Sequence, residues 1–326
     1  MRKDYCRDVW TYVAPSRGER TNQFRVADEN DEVVAPPGVQ DVAVSGSCDF
    51  CPGNEDRTPP VVDVLHDASV WSVRVFPNKY PIVGREEPVS PPLVVESSHG
   101  AHEVVVETPD HGRQFVDLTV EQVSRVILMY GRRVAALSSD PAIQWVQVFK
   151  NHGPAGGASL FHSHSQIIAT GRLPEPIRGK MDRSQAGGCM YCSVVVMEEA
   201  GPRAVLANED FVAFVPFAPQ HDFEVWIVSR EHVSQLEALS EGQRTSLADM
   251  LLQVANRILL LTNSYNFLVF CGQKDRELHL HVEVVPRFPD RLKAGFELST
   301  GYSVVTVTPE DMAAQLRVGL SRPGLR

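Results

Sequence analysis

The stretch EVVVETPDH, Glu103 to His111, can be laid over EVWIVSREH, Glu224 to His232, without a gap, and this self-similarity decides the fold. The match runs on: Leu118-Thr119 and Gln122 align with Leu239-Ser240 and Gln243. Thr119 to Gln122 and Ser240 to Gln243 each have the spacing of a helix capping box and precede an apolar-periodic segment. Each copy therefore reads as strand, turn, helix. In each half a C-x-x-C comes first, then the strand ending in histidine, the helix, a β-rich run (AIQWVQVFK, NFLVFCG) and a strand carrying H-x-H (FHSHSQII, LHLHVEVV). The expected fold is α+β, two tandem related halves, each an antiparallel sheet with a packed helix. The halves are 1–175 and 186–326, and residues 171–188, rich in Pro, Gly and charge, read as the linker.

Composition narrows the function classes. The 326 residues are 43% hydrophobic, enough for a substantial core, and carry a formal net charge of −10. That charge argues against nonspecific nucleic-acid binding, which needs many Lys and Arg contacts to phosphate, but leaves a single nucleotide as a feasible ligand. The first twenty residues hold no apolar leader and no run is long enough to span a membrane, so a cytoplasmic protein is expected. Of six cysteines, four form two C-x-x-C pairs, Cys48/Cys51 and Cys189/Cys192, a spacing that points to metal or redox chemistry.

In each half two thiolates and two imidazoles could converge on one ion: Cys48, Cys51, His111 and His162 in the first, Cys189, Cys192, His232 and His279 in the second. Such a set suits a closed tetrahedral zinc site with no open position for catalysis. His281 is an alternative to His279. A redox pair would be expected in a βαβ context, which neither C-x-x-C has. Cys6 and Cys271 read as structural.

Period-2 alternation places His162, His164 and Gln166 on one strand face if that segment is extended, beside the loop NHGPAGGAS, residues 151–159. Glycines 153, 156 and 157 would let backbone N–H groups approach an anion, with Ser159 adding a hydroxyl. Beside a histidine and an amide, such a loop suggests phosphoryl or nucleotidyl transfer with His164 as nucleophile and Gln166 stabilising the transition state. One imidazole nitrogen would face phosphorus while the other is held by an acceptor that fixes the tautomer. In the second half Glu283 stands where Gln166 does and no glycine loop precedes it; a carboxylate there would repel phosphate, so that half is expected to be structural and to form the substrate rim.

At these residues the chain resembles the galactose-1-phosphate uridylyltransferase family of the histidine-triad superfamily, over nearly its whole length. The resemblance rests on CDFCPGNEDRTPP (48–60), VFPNKYP (75–81), HSHSQ (162–166), GFELSTG (295–301) and the N-terminal segment. It implies zinc on His162, a covalent nucleotidyl adduct on His164, a nucleoside contact by Asn78, phosphate contacts by Asn151, Ser159 and Gln166 near Gly157, and a hexose contact by Glu297. It further implies a ping-pong transfer of a nucleotidyl group from a UDP- or ADP-hexose to a sugar 1-phosphate, and a homodimer. The family usually has H-P-H-P-Q, and a glutamine follows its G-Y-E where position 303 here is Ser. Those departures place the chain closest to the ADP-glucose phosphorylase-like branch, whose acceptor is inorganic phosphate. A dinucleoside polyphosphate phosphorylase or hydrolase, and an inactive zinc-stabilised nucleotide-binding protein, are the other readings.

Overall fold

The computed structural model describes residues 1–3, 10–24, 48–84, 96, 98–185 and 188–318. Strands β1 (Arg2–Lys3) and β2 (Trp10–Thr11) pair with each other near the N-terminus. The first half then contributes β3 (Asp63–Asp67), β4 (Val70–Pro77), β5 (Gly100–Val106), helix α1 (Val120–Ser138), β6 (Trp145–His152) and β7 (His164–Thr170). Next come α2 (Glu175–Gln185) and α3 (Met190–Glu199). The second half repeats the pattern with β8 (Ala204–Ala207), β9 (Phe211–Phe214), β10 (Val225–Ser229), α4 (Glu241–Leu259), β11 (Tyr265–Phe270) and β12 (His281–Pro286), followed by α5 (Gly295–Thr300) and α6 (Pro309–Val318).

Ten strands form one antiparallel sheet in the order β3-β4-β5-β7-β6-β11-β12-β10-β9-β8. Read from either edge, the order is the same once halves are exchanged, so the repeat is a pseudo-twofold meeting at β6 and β11. The gapless alignment needs one correction. Val106 pairs with His164 and Val228 pairs with His281, so Val106 corresponds to Val228, and the second copy has one residue fewer between strand and histidine. A one-residue slip would have turned every strand side chain to the wrong face.

Alternation sorts the sheet into two environments. Val73, Val75, Val105, Val148 and Ile167 face α1 and α4, which pack together across both halves over one continuous core. Phe76, Val104 and Val106 face the other way, under the Cys48–Cys51 loop. Both long helices begin as expected, with Thr119 Oγ1 accepting from Gln122 N (3.1 Å) and Ser240 Oγ from Gln243 N (3.2 Å), caps worth about 1 kcal/mol each. Only α4 closes the reciprocal bond, Ser240 N to Gln243 Oε1 (3.0 Å). In α1 the Gln122 amide instead donates to the carbonyls of Ser72 (2.8 Å) and Glu107 (2.7 Å), tying the helix to the sheet.

The segment expected as a linker folds. Within 171–188, Glu175–Gln185 is helix α2, because Ile177 and Met181, four apart, bury against the second half's sheet beside Tyr191 and Val195 of α3. Its prolines lie before and within the first turn, where no N–H partner is lost. Among the described residues, α2 and α3 cover that sheet face in the second half, and no helix does so in the first. A cleft opens there.

Candidate active site and metal centres

The C-x-x-C at Cys48/Cys51 lies over β4 and β5, with Arg74 beneath it donating to the carbonyl of Asp49 (3.4 Å) and to Thr58 Oγ1 (3.2 Å). Cys48, Cys51, His111 and His162 bring one ligand atom each to within 4.8 Å of one another. Cys48 Sγ is 3.6 Å from His162 Nδ1; Cys51 Sγ is 3.3 Å from His111 Nδ1 and 3.7 Å from His162 Nδ1; the two Nδ1 atoms are 3.3 Å apart. Tetrahedral zinc, about 2.0 Å from nitrogen and about 2.3 Å from sulfur, demands N···N near roughly 3.3 Å and N···S near roughly 3.5 Å. The donor set fits such an ion. His162 Nε2 donates to the carbonyl of Thr108 (2.8 Å), which leaves Nδ1 with its lone pair for a metal.

The second set repeats this. Cys189, Cys192, His232 and His279 converge, with Cys189 Sγ to His279 Nδ1 at 3.4 Å, and Cys192 Sγ to His232 Nδ1 and to His279 Nδ1 both at 3.5 Å. His279 Nε2 donates to the carbonyl of Ser229 (2.8 Å). Between the two histidines left open by the sequence, His279 belongs to the cluster and His281 does not. Cys271 is a buried thiol in the core, pushed up to about 12 by burial; Cys6 lies outside the described residues.

His162 and His279 precede their strands, which begin at His164 and His281. The His164 imidazole donates from Nδ1 to the carbonyl of His162 (2.8 Å), so the acceptor expected to fix its tautomer is the peptide of the neighbouring ligand residue, and Nε2 keeps a lone pair. Burial, helped by the Lys150 ammonium, lowers the His164 pKa to about 4 and holds the ring neutral. Phe50, between the two cysteines, packs edge-on against it, centroids 5.4 Å apart. The metal cluster and the histidine thus share a wall.

Gln166 lies one strand residue pair further on, and its Oε1 accepts from His102 Nε2 (2.9 Å). His102 Nδ1 accepts from Ile82 N (3.2 Å), so the ring's proton must sit on Nε2 and the Gln166 oxygen is held, leaving its NH2 as the free end. Burial lowers His102 to about 4. Sequence reading missed His102, although its place in HEV, one strand pairing away from the H-x-H-x-Q strand, was a usable signal. The cleft is lined by His164, Gln166, Ser159, Asn78, Phe50, Phe76 and Val104, and by four cations, Arg17, Arg20, Arg57 and Lys79. Arg17 donates to the carbonyl of Tyr80 (3.0 Å), and its pKa is lowered by burial and by Arg20. Cations lining one cleft with a neutral imidazole suit a polyanionic ligand; they too were missed, since Arg17 and Arg20 sit more than a hundred residues from His164.

Other expected site residues lie elsewhere. Asn151 lines a smaller cavity that shares Leu160 and His164 with the cleft, and its Oδ1 accepts from Asn266 Nδ2 (2.8 Å). Gly153, with φ +71°, and Gly156 serve close approach: a Cβ there would stand 2.3 Å from the Asn263 carbonyl oxygen or 2.2 Å from that of His152. Gly157, with φ +81°, is looser, since a Cβ there would meet only Asn151 Nδ2, at 3.8 Å, and it is not among the cleft residues. Gln23 pins this loop, its N donating to the Ser159 carbonyl (2.8 Å) and its Oε1 accepting from Phe161 N (2.6 Å). Glu297 does not line the cleft of its own chain; its exposed carboxylate accepts from Ala294 N (3.0 Å) and Val304 N (3.2 Å), so a hexose contact from within one chain is not supported.

Among the described residues, the space in the second half that corresponds to the cleft is filled. His281 is fully buried, stacked on Tyr191 (4.5 Å) and Phe270 (4.8 Å), and Lys180 of α2 reaches the carboxylate of Glu283. Side chains from α2, α3 and β11 fill the space that is cleft in the first half.

Comparison with known proteins agrees with this geometry. The family model described as galactose-1-phosphate uridyl transferase, N-terminal domain, matches residues 1–174. The chain is 28% identical to an ADP-glucose phosphorylase of Arabidopsis thaliana, covering 97% of this chain and 92% of that one. It is 30% identical to a galactose-1-phosphate uridylyltransferase of Thermotoga maritima, covering 85% and 94%. Its fold superposes on the crystal structure of an Arabidopsis thaliana ADP-glucose phosphorylase with bound ADP-glucose (TM-score 0.74, 27% identity, 83% and 90% covered) and on a structure of a uridylyltransferase (TM-score 0.76, 26% identity, 98% and 97% covered). With its matching family model, its curated relatives along most of its length and its paired Cys/His clusters around an H-x-H-x-Q strand, the chain belongs to the galactose-1-phosphate uridylyltransferase family.

Proposed function

We propose that this protein transfers a nucleotidyl group from a nucleotide sugar through a covalent adduct on His164. The observation that carries it is a neutral imidazole, its Nδ1 proton held by the His162 carbonyl, lining one cleft with the Gln166 amide and four cations. The His164 Nε2 lone pair attacks the α-phosphorus, and the bond to the leaving sugar 1-phosphate breaks as the new N–P bond forms. The ring becomes cationic and keeps its proton on Nδ1, hydrogen-bonded to the His162 carbonyl. Gln166 donates to a non-bridging oxygen whose charge shifts in the transition state, and Arg17 and Arg20 neutralise the remaining phosphate charge. A phosphate oxygen of the acceptor then attacks the same phosphorus and returns the ring to neutral. Asn78 contacts the nucleoside and Ser159 a phosphate.

Both Cys2His2 sets hold zinc in this proposal, and the ion locks His162, from whose carbonyl His164 hangs. The first half, to residue 175, carries the chemistry; the second, from 186, is structural. Two copies form the working unit, since Phe296, Leu298, Tyr302 and Val304 expose apolar surface around Glu297 of the kind a subunit interface covers. Inorganic phosphate as acceptor is favoured by the ADP-glucose phosphorylase relative, which matches 97% of this chain.

The test is incubation with UDP-glucose and ADP-glucose labelled at the α-phosphate, followed by trapping of protein-bound label. An acid-labile adduct that His164→Gly abolishes is expected. No adduct with either donor, or one that survives His164→Gly, overturns the reading. Product analysis with phosphate or a sugar 1-phosphate then names the acceptor.

A further inference from the structure

Behind His164, on the helix-covered face of the sheet, lies a charged pair inside the largest hydrophobic core. Lys150 Nζ, on β6, donates to Glu107 Oε2 (2.6 Å), to Ser163 Oγ (3.2 Å) and to the backbone carbonyl of His164 (3.0 Å). Glu107, just past β5, accepts from both serines that flank His164: Ser163 Oγ on Oε2 (2.5 Å) and Ser165 Oγ on Oε1. Tyr130 of α1 donates to Ser165 Oγ (2.6 Å). Both charges are buried, at 2% and 0% side-chain exposure, among Phe115, Val105, Val148 and Ile167. The Lys150 ammonium keeps the Glu107 carboxyl below its usual pKa, against the opposing effect of burial.

A buried ion pair is a poor device for stability, because desolvation offsets most of its attraction and apolar residues of like volume do as well or better. The molecule contains its own control. The strand registers that align Val106 with Val228 set Ser165 against Val282 and Ser163 against Leu280; Phe149 faces Gln166 as Leu268 faces Glu283, so Lys150 corresponds to Val269. Glu107 N donates to the Ser163 carbonyl (3.2 Å) as Ser229 N does to that of Leu280 (3.3 Å), and equal helix caps match Tyr130 with Leu251. No counterpart is charged, and Leu280, Val282, Val269 and Leu251 are core residues. Yet the second half builds the same strands, a matching Cys2His2 cluster and the same Nδ1-to-carbonyl bond, His281 to His279 at 2.8 Å. The fold and the histidine's tautomer therefore do not require the charged network. It occurs in the half that has the cleft.

We propose that Glu107 and Lys150, acting through Ser163, Ser165 and the His164 carbonyl, are positioning residues that hold the backbone carrying His164 still while phosphorus is attacked. An imidazole hung from one carbonyl can rock with its strand, and displacements well below 1 Å degrade in-line attack. Three fixed points, before, at and after His164, remove that freedom. An apolar core cannot, because it offers no directional bonds to that strand.

The inference rests on the reading of His164 as nucleophile, and its test separates the two. The double variant Glu107→Gln/Lys150→Met removes both charges at nearly constant volume. Its melting temperature, the Kd for UDP-glucose and ADP-glucose, and the single-turnover rate of His164 labelling at saturating donor are compared with wild type. The expected result is a Kd within threefold and a labelling rate lower by roughly 10- to 100-fold. A folded double variant whose rate stays within twofold of wild type, or whose deficit lies wholly in Kd, overturns the proposal. Should the double variant not fold, Ser163→Ala and Ser165→Ala are read by the same criteria. Should wild type take label from neither donor, the nucleophile reading fails by itself. Positioning is then decided by histidine 15N spectra of the full chain: a single His164 resonance set in wild type that broadens or splits in the variants supports it, and unchanged spectra overturn it.

Discussion

His164 Nδ1 stands 2.8 Å from the carbonyl oxygen of His162, so the proposed nucleophile is suspended from the backbone of a residue of the Cys/His cluster. The two histidines are separated by one residue in sequence and do different things through that one bond: His162 turns Nδ1 to the cluster, and its carbonyl accepts the hydrogen bond from His164 Nδ1. The same relationship recurs between His281 and His279, where a stacked aromatic cage takes the place of a cleft.

That difference predicts which histidine takes label. His281→Asn is expected to leave nucleotidyl labelling within about twofold of wild type, whereas His164→Gly abolishes it. Peptide mapping of the labelled protein checks this, and label on His281 would sink the assignment of the halves.

Metal content should divide by half. Wild-type protein is expected to carry two zinc ions per chain by elemental analysis, and Cys51→Ser and Cys192→Ser one each, both with a lowered melting temperature. Cys51→Ser should also slow labelling by tenfold or more, since Phe50, beside it, packs on His164. Full zinc content in either variant would show that the clusters are not the sites.

His102 makes stability fall with acid. Its folded pKa of about 4 lies below the ordinary histidine value, so the unfolded chain takes up a proton first. The fold has the full benefit above about pH 6.5, loses it as pH falls towards 4, and loses nothing more below that. The loss is on the order of 3 kcal/mol. Arg17, the charged group whose field also disfavours protonation of this ring, does not titrate in that range. Urea denaturation at pH 6.5, 5.5 and 4.5 should show a steeper decline for wild type than for His102→Leu; equal slopes would contradict it. His102→Leu should also slow labelling, because the Gln166 amide loses its anchor.

Two glycines of one loop should behave differently. Gly153→Ala forces a Cβ to 2.3 Å from the Asn263 carbonyl oxygen at φ +71°, and a cost of about 2–4 kcal/mol is expected. Gly157→Ala, at φ +81° with the new Cβ in ordinary contact with Asn151 Nδ2 at 3.8 Å, should cost only about 1 kcal/mol. Thermal denaturation distinguishes them, and comparable losses would refute the close-packing account of Gly153.

Cutting cations from the cleft should weaken donor binding more than chemistry. Arg17→Ala is expected to raise the Kd for a nucleotide sugar about tenfold by calorimetry, with a smaller change at high salt. An unchanged Kd would place the phosphates elsewhere.

Much of this was legible in the residues alone. C-x-x-C pairs, strand-end histidines and H-x-H motifs are local patterns, and their repetition in one order announced both halves and both clusters. Helix starts were legible because Thr119 and Ser240 cap with their own side chains. Less local facts were not. The one-residue offset between the repeats is visible only in strand pairing, and α2 looked like a linker because its burial depends on a sheet from the other half. The bond from Ala294 N to the Glu297 carboxylate, at the start of a short helix, is likewise recorded by no motif.

The sequence by itself determined the α+β repeat, seven of the eight cluster residues, with His279 or His281 as the eighth, and the spacing of His164 and Gln166 on one strand, because those follow from short-range spacing and side-chain chemistry. Only the tertiary structure decided that His279 completes the second cluster, that His102 holds Gln166, that Arg17 and Arg20 line the same cleft as His164, and that Glu107 and Lys150 grip its strand from behind. Those arrangements join residues from 13 to well over 100 positions apart. A sheet assembled from both halves brings them together, and no local period of the chain records which strand will lie beside which.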